Sequence, residues 1–217
     1  MNIDRMLEVL EDQLCQTIVW SKAIQAISET CNQNAAVRHD RFLVNTVYDA
    51  LWDALITKTC AMWDDDQGTI SLRALARHFK TNGGAQAASF VATVEKHATD
   101  RNAHLNTIKL WRDKIVAHRA QHLRDPKNGT AMDEAEFDQN YGIHASAITD
   151  ELQRIEGLLG EARGLRGEKP AFFGILKEDA AGDAKLAMDQ WSKGADAVRR
   201  DALASVVDLL HSGDDST

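Results

Sequence analysis

The chain has 217 residues, only two prolines and a formal net charge of −8, which bounds it to one ordinary domain, or one domain with an extension, large enough for a sizeable core. No apolar run approaches the roughly 20 residues needed to span a bilayer, and the three cysteines (Cys15, Cys31, Cys60) are odd in number and lack metal-ligand spacing. Membrane-spanning and disulfide-stapled classes are therefore excluded. The start, MNIDRMLEVLEDQL, is acidic and amphipathic rather than signal-like, so a soluble cytoplasmic protein with reduced thiols is expected.

Long stretches of period-3.6 apolar residues predict an all-α fold. Ile3 to about Thr30 reads as the first helix, with Ile3, Met6, Leu7, Leu10, Leu14, Ile18, Ile24 and Ile27 on one stripe that Trp20 widens. Asn32 to Arg38 is a polar connection. Asp40 is placed to cap a second helix along Val44, Val47, Leu51, Leu55 and Met62, with Tyr48, Trp52 and Trp63 adding bulk. Asp64-Asp65-Asp66-Gln67-Gly68 stops it. Three adjacent aspartates suggest a divalent ion, but no Gly/Glu loop pattern follows, and a solvated helix end is the better reading.

Ser71 opens a short third helix through Leu72, Leu75 and Phe79, which Gly83-Gly84 closes. A fourth helical stretch runs from about Ala87 through Val91 and Val94 into Leu105–Leu123, with an interruption placed near Thr99–Asn102. Asp125-Pro126-Lys127-Asn128-Gly129 is a strong breaker. A fifth helix is expected over roughly Asp133 to Ala162, carrying Phe137, Tyr141, Ile148, Leu152, Ile155 and Leu159. Gly160, Gly164, Gly167, Pro170 and Gly174 then form a loose connection, and a last helix spans about Asp183 to Leu210 on Leu186, Met188, Ala197, Leu203, Val206, Val207 and Leu210. Long amphipathic helices joined by short loops imply an up-and-down bundle.

The segment Leu105–Leu123, LNTIKLWRDKIVAHRAQHL, carries the chemistry. Its apolar residues (Leu105, Ile108, Trp111, Ile115) fall at helical spacing, yet it also bears Arg112, Asp113, Lys114, His118, Arg119 and His122. From Lys109 to Lys127 six Lys/Arg stand against two Asp, a local +4, so the remainder of the −8 chain carries −12. Positive charge concentrated around a His-bearing helix in an acidic protein points to a phosphodiester ligand.

Arg112-Asp113, with a His six positions after the Arg, has the form of the motif of the HEPN superfamily of helical-bundle ribonucleases. The words Trp111-Arg112-Asp113-Lys114-Ile115-Val116-Ala117-His118-Arg119 resemble its abortive-infection, AbiU-type branch. So do Tyr48-Asp49-Ala50-Leu51-Trp52, Met62-Trp63-Asp64 and Ser71-Leu72, and the resemblance covers roughly residues 40 to 160. Ala61 departs from it, standing where a basic residue is expected. The resemblance implies a HEPN-type bundle, placed over residues 1–164; residues 165–217 carry no such likeness and are read as a linker and C-terminal helix packed on it.

It also implies a metal-independent endoribonuclease needing no cofactor, acting in phage defence or a toxin–antitoxin pair. Arg112, His118 and Asp113 would be catalytic, with Lys114, Arg119 and Lys109 binding RNA. On a regular helix six residues leave Arg112 and His118 about 120° apart and about 9 Å along the axis. The resemblance resolves this by a homodimer whose motif helices face across a shared cleft; a cognate antitoxin is a further expected partner. Arg73-Ala-Leu-Ala-Arg-His78 satisfies the same loose Arg–His pattern, but Ala74 rather than an acid follows its Arg.

Two other readings compete. His118 and His122, four apart, could join His39 or His104 in a three-His metal site, as in DinB-like bundles. The same bundle could instead be non-catalytic, binding a nucleotide or a partner protein.

Overall fold

The computed structural model describes residues 2–33, 41–66, 68–100, 104–113, 123–124, 130–171 and 173–212. Helix α1 (Ile3–Gln33) is the spine. The Asn2 side chain accepts the Asp4 N–H at 3.0 Å, a cap for the first turn, and Met6, Leu7, Leu10, Leu14, Ile18, Ile24 and Ile27 are all buried. Thr17, also buried on that stripe, returns its hydroxyl to the Leu14 carbonyl at 2.8 Å, so its polar atom is satisfied. Helices α2 (Arg41–Ala61), α3 (Leu72–Asn82), α7 (Ala145–Gly164) and α8 (Gly174–Ser212) all pack on α1.

Ser71 caps α3 as its sequence predicts, accepting the Ala74 N–H at 3.1 Å. Gly83 closes the same helix and donates its N–H to the Phe79 carbonyl at 2.7 Å. A 3-10 turn (Ala85–Ala87) leads into α4 (Ala88–Thr99), which packs on α3 and α7, and α5 (His104–Trp111) lies against α2 and α7. One core joins these elements: Trp63 and Phe90 at its centre, with Leu55, Leu72, Leu75, Leu105, Ile108 and Ile155 around them. Helix α8 adds a smaller cluster, Met188 against Ala26, Ile27 and Val44.

Several expected boundaries shift. Helix α5 ends at Trp111, Arg112 and Asp113 take π-helical geometry, and Leu123 lies in a strand rather than a helix. The pair β1 (Leu123–Arg124) and β2 (Ala131–Met132) is antiparallel, Leu123 opposite Met132, so the expected helix through Leu123 is corrected at its far end. The breaker 125–129 lies outside the described residues. The expected fifth helix is two, α6 (Glu134–Tyr141) and α7, because Gly142 and His144 take extended backbone between them. Asp133 and Glu136 form a reciprocal capping box at the start of α6.

Helix α7 runs through Gly160 to Gly164 because its end is tied down. Arg163 grips Glu11 of α1 with two bonds of 2.9 and 2.7 Å, while Leu158, Leu159 and Ala162 are buried. The last helix begins at Gly174, nine residues before the expected Asp183. Its inner face is Ala180, Ala184, Met188 and Trp191, and the expected core residue Leu186 is 58% exposed on another side. Val47 of α2 is likewise exposed, while Val44, Leu55 and Met62 from the same predicted stripe are buried.

Two glycines make opposite demands. A Cβ on Gly83 would meet the Ala87 Cβ at 2.6 Å and the Phe79 carbonyl at 2.8 Å, whereas one on exposed Gly157 in mid-α7 would meet nothing within 4 Å. Gly83→Ala is therefore expected to cost about 1–3 kcal/mol through overpacking. Gly157→Ala should add about 0.5–1 kcal/mol through helix propensity. Urea or thermal melts followed by circular dichroism read both signs.

Candidate active site around Arg112

Arg112 is presented by two supports. The first is Trp111, whose indole N–H donates to the Tyr141 carbonyl at 2.6 Å and whose ring lies edge-on to buried Phe137 at 5.8 Å. With Ile108 and Leu105 buried one and two turns before, the end of α5 is fixed between the core and α6.

The second support is the turn after α2. Trp63 and Asp64 donate their amides back to the Cys60 and Ala61 carbonyls, and Leu72 donates to the Met62 carbonyl at 2.8 Å, stitching this turn to the start of α3. Trp63 is fully buried, with the ring of His97 from α4 packed on it at 4.9 Å. His97 Nε2 in turn lies 3.0 Å from both carboxylate oxygens of Glu151 on α7, a residue only 2% exposed. A carboxylate that deep needs a hydrogen-bonded partner, so the His–Glu pair fastens α4, α7 and the Trp63 ring together.

On that turn Asp64 accepts a hydrogen bond from Arg112 Nη1 at 2.9 Å, and Asp113 accepts one from Arg112 Nε at 2.9 Å. The Arg112 side chain is 26% exposed. Burial opposes its charge, but the bonds to Asp113 and Asp64 outweigh that and push its pKa further up, so it stays a cation. Beneath it, burial pushes the Cys60 thiol up to about 12 against the pull of Arg112. At neutral pH Cys60 is a neutral core thiol and no nucleophile.

Of the residues singled out in the sequence, the structure brings Arg112 and Asp113 together and places Lys109, half-buried, one turn before Asp113. His118, Lys114 and Arg119 lie outside the described residues, as do His122 and His39. His104 stands exposed at the start of α5, eight residues before Arg112 and so about 12 Å from it along the axis.

The acidic run at 64–66 is not a plain solvated helix end. Asp64 takes Arg112, and Asp65 takes both Arg73, at 2.8 Å, and Arg77. Asp64 is the partner of Arg112 that spacing alone did not single out, because the two are 48 residues apart. His97 and Glu151 were likewise missed; the available signal was Glu151 standing between Ile148 and Leu152 on an otherwise apolar stripe.

Among the described residues no helix is long and apolar enough to cross a membrane. No curated protein and no solved structure matches the chain. A family model does: HEPN_AbiU2, described as AbiU2, matches residues 2–154, from the first turn of α1 to the middle of α7 and so across both supports of Arg112. The chain therefore belongs to the HEPN AbiU2 family and is an abortive-infection-related HEPN domain built as an all-α bundle.

Proposed function

We propose that this protein is a metal-independent endoribonuclease acting in phage defence, either in abortive infection or paired with an antitoxin. The observation that carries the reading is the motif arginine, three-quarters buried yet still partly open, with Asp64 and Asp113 fixing its plane. A guanidinium oriented in advance and shielded from water is suited to two phosphate oxygens and to the extra negative charge of a phosphorane-like transition state.

In this reading the ribose 2′-hydroxyl attacks the adjacent phosphorus. The new 2′-O–P bond forms as the P–O5′ bond breaks, one proton leaves the 2′-oxygen, and one is delivered to the departing 5′-oxygen. His118 handles a proton, since imidazole titrates nearest to neutral pH. Lys109, Lys114 and Arg119 hold neighbouring phosphates. The products are a 2′,3′-cyclic phosphate and a 5′-hydroxyl. Residues 1–164 carry this site and 165–217 brace it.

The same ion pairs favour one other reading. With Nη1 and Nε both engaged by carboxylates, Arg112 would serve equally in a non-catalytic module that binds a nucleotide or a partner protein. Incubating the purified protein with mixed RNA in EDTA separates the possibilities. Cleavage supports the ribonuclease, cleavage that appears only when a divalent metal is restored supports a three-His metal site, and no cleavage with tight partner binding supports the module.

His118→Ala should lower the cleavage rate about 10²–10⁴-fold with an unchanged circular dichroism spectrum. His78→Ala should be silent, because the His78 ring lies edge-on to its neighbour Phe79 at 6.4 Å and the bonds that hold Arg112 go to Asp64 and Asp113. Asp64→Ala should cost about 10–100-fold, the scale of one charged hydrogen bond worth about 1.5–3 kcal/mol. Wild-type activity in the His118 variant would remove His118 from the site.

The shared-cleft arrangement adds an assembly prediction. Light scattering after size exclusion should give a two-fold homodimer, with a cross-link between cysteines placed on the two α5 helices forming readily. A monomer that cuts RNA at full rate contradicts it.

A further inference from the structure

Alongside the buried stripe of α3 (Leu72, Leu75, Ala76, Phe79), Arg73, Arg77 and Lys80 fall at positions i, i+4 and i+7 on one side of the helix. Lys80 turns to Glu95 of α4 at 3.2 Å. Arg73 and Arg77 both turn to Asp65, the neighbour of the residue that holds Arg112. Three guanidiniums from two helices thus converge on two consecutive carboxylates, whose α-carbons are about 3.8 Å apart.

Arg73, Arg77 and Asp65 together carry one net positive charge, with exposed Asp66 next along the chain. Each arginine reaches Asp65 through one terminal nitrogen, out of five N–H donors on a guanidinium. Arg77 is 52% exposed, Arg73 33% and Asp65 42%, so the cluster is open to solvent. The Arg73…His78 match therefore has a different meaning from the motif it mimics: its arginine shares Asp65 with Arg77, while the ring of its histidine lies edge-on to Phe79.

We propose that Arg73 and Arg77 form a phosphate track that carries the RNA backbone away from Arg112, with Asp65 as the internal anion that holds both side chains ready and is displaced by the strand. This inference rests on the reading that the Arg112 site acts on RNA. Positively charged side chains spaced one helical turn apart, continuous with the reacting site, match the repeating charge of a single strand and carry no base selectivity.

The test is binding of a fluorescein-labelled, mixed-sequence 2′-O-methyl RNA, which cannot be cut, followed by anisotropy at several salt concentrations. Arg73→Gln/Arg77→Gln is expected to weaken binding about tenfold and to make the slope of log affinity on log salt shallower by about 1.4, the value for two lost contacts on a single strand. On cleavable RNA it should raise KM and leave kcat unchanged, as expected for lost uniform binding.

Asp65→Asn separates a track from a structural cluster. Releasing both arginines should tighten RNA binding several-fold, whereas a purely structural carboxylate would leave binding unchanged or weaken it. Unchanged affinity and slope in the double variant, or unchanged or weaker binding in Asp65→Asn, overturns the track and leaves the ribonuclease standing if wild-type protein still cuts RNA. Wild-type protein that neither binds nor cuts RNA overturns both.

Discussion

A guanidinium at the end of a short helix is useful only if something outside that helix tells it where to point, and here the instruction comes from Asp64. That carboxylate lies on a turn that cannot move independently. Met62 and Trp63 are fully buried, Leu72 of α3 donates to the Met62 carbonyl, and the Trp63 ring is covered by His97, which Glu151 holds from α7. Through this chain of contacts the plane of Arg112 depends on α2, α3, α4 and α7 together. A half-buried ion pair of this kind gains strength because water screens it less than at the surface, and its net value is on the scale of about 1.5–3 kcal/mol.

The π-helical geometry at Arg112 and Asp113 belongs to the same economy of placement. A π turn widens the helix where it occurs and recurs at functional positions. In this protein it falls directly after Trp111, whose indole is pinned to the Tyr141 carbonyl and to Phe137. The departure from regular helix therefore begins where the packing support ends, and Asp113 turns to the Nε side of the guanidinium while Asp64 meets Nη1.

The all-α fold, the cap at Ser71, the stop at Gly83, the stripe of α1 and the motif arginine were legible because each is a local pattern: one periodicity, one capping side chain, one short word. What was not legible depends on long-range contact. Asp64 reads as one of three equivalent aspartates until Arg112 is seen against it. Leu186 has the right chemistry for the inner face of α8, but that face is set by Ala184, Met188 and Trp191, which pack with Ala26 and Ile27 of α1 and Val44 of α2. The start of α8 at Gly174 was hidden by glycines that read as linker. The split between α6 and α7 turned on the extended backbone at Gly142, which periodicity on either side did not reveal.

The most direct measurement of the central claim compares two substrates in EDTA: a ribo-oligonucleotide and the same sequence with one 2′-deoxy nucleotide on the 5′ side of the cut. A site in which Arg112 steadies a phosphorus under attack by the neighbouring 2′-hydroxyl predicts 2′,3′-cyclic phosphate and 5′-hydroxyl ends from the first and no cut at that position in the second. Products ending in 3′-hydroxyl and 5′-phosphate, or undiminished cutting beside the 2′-deoxy nucleotide, would contradict it.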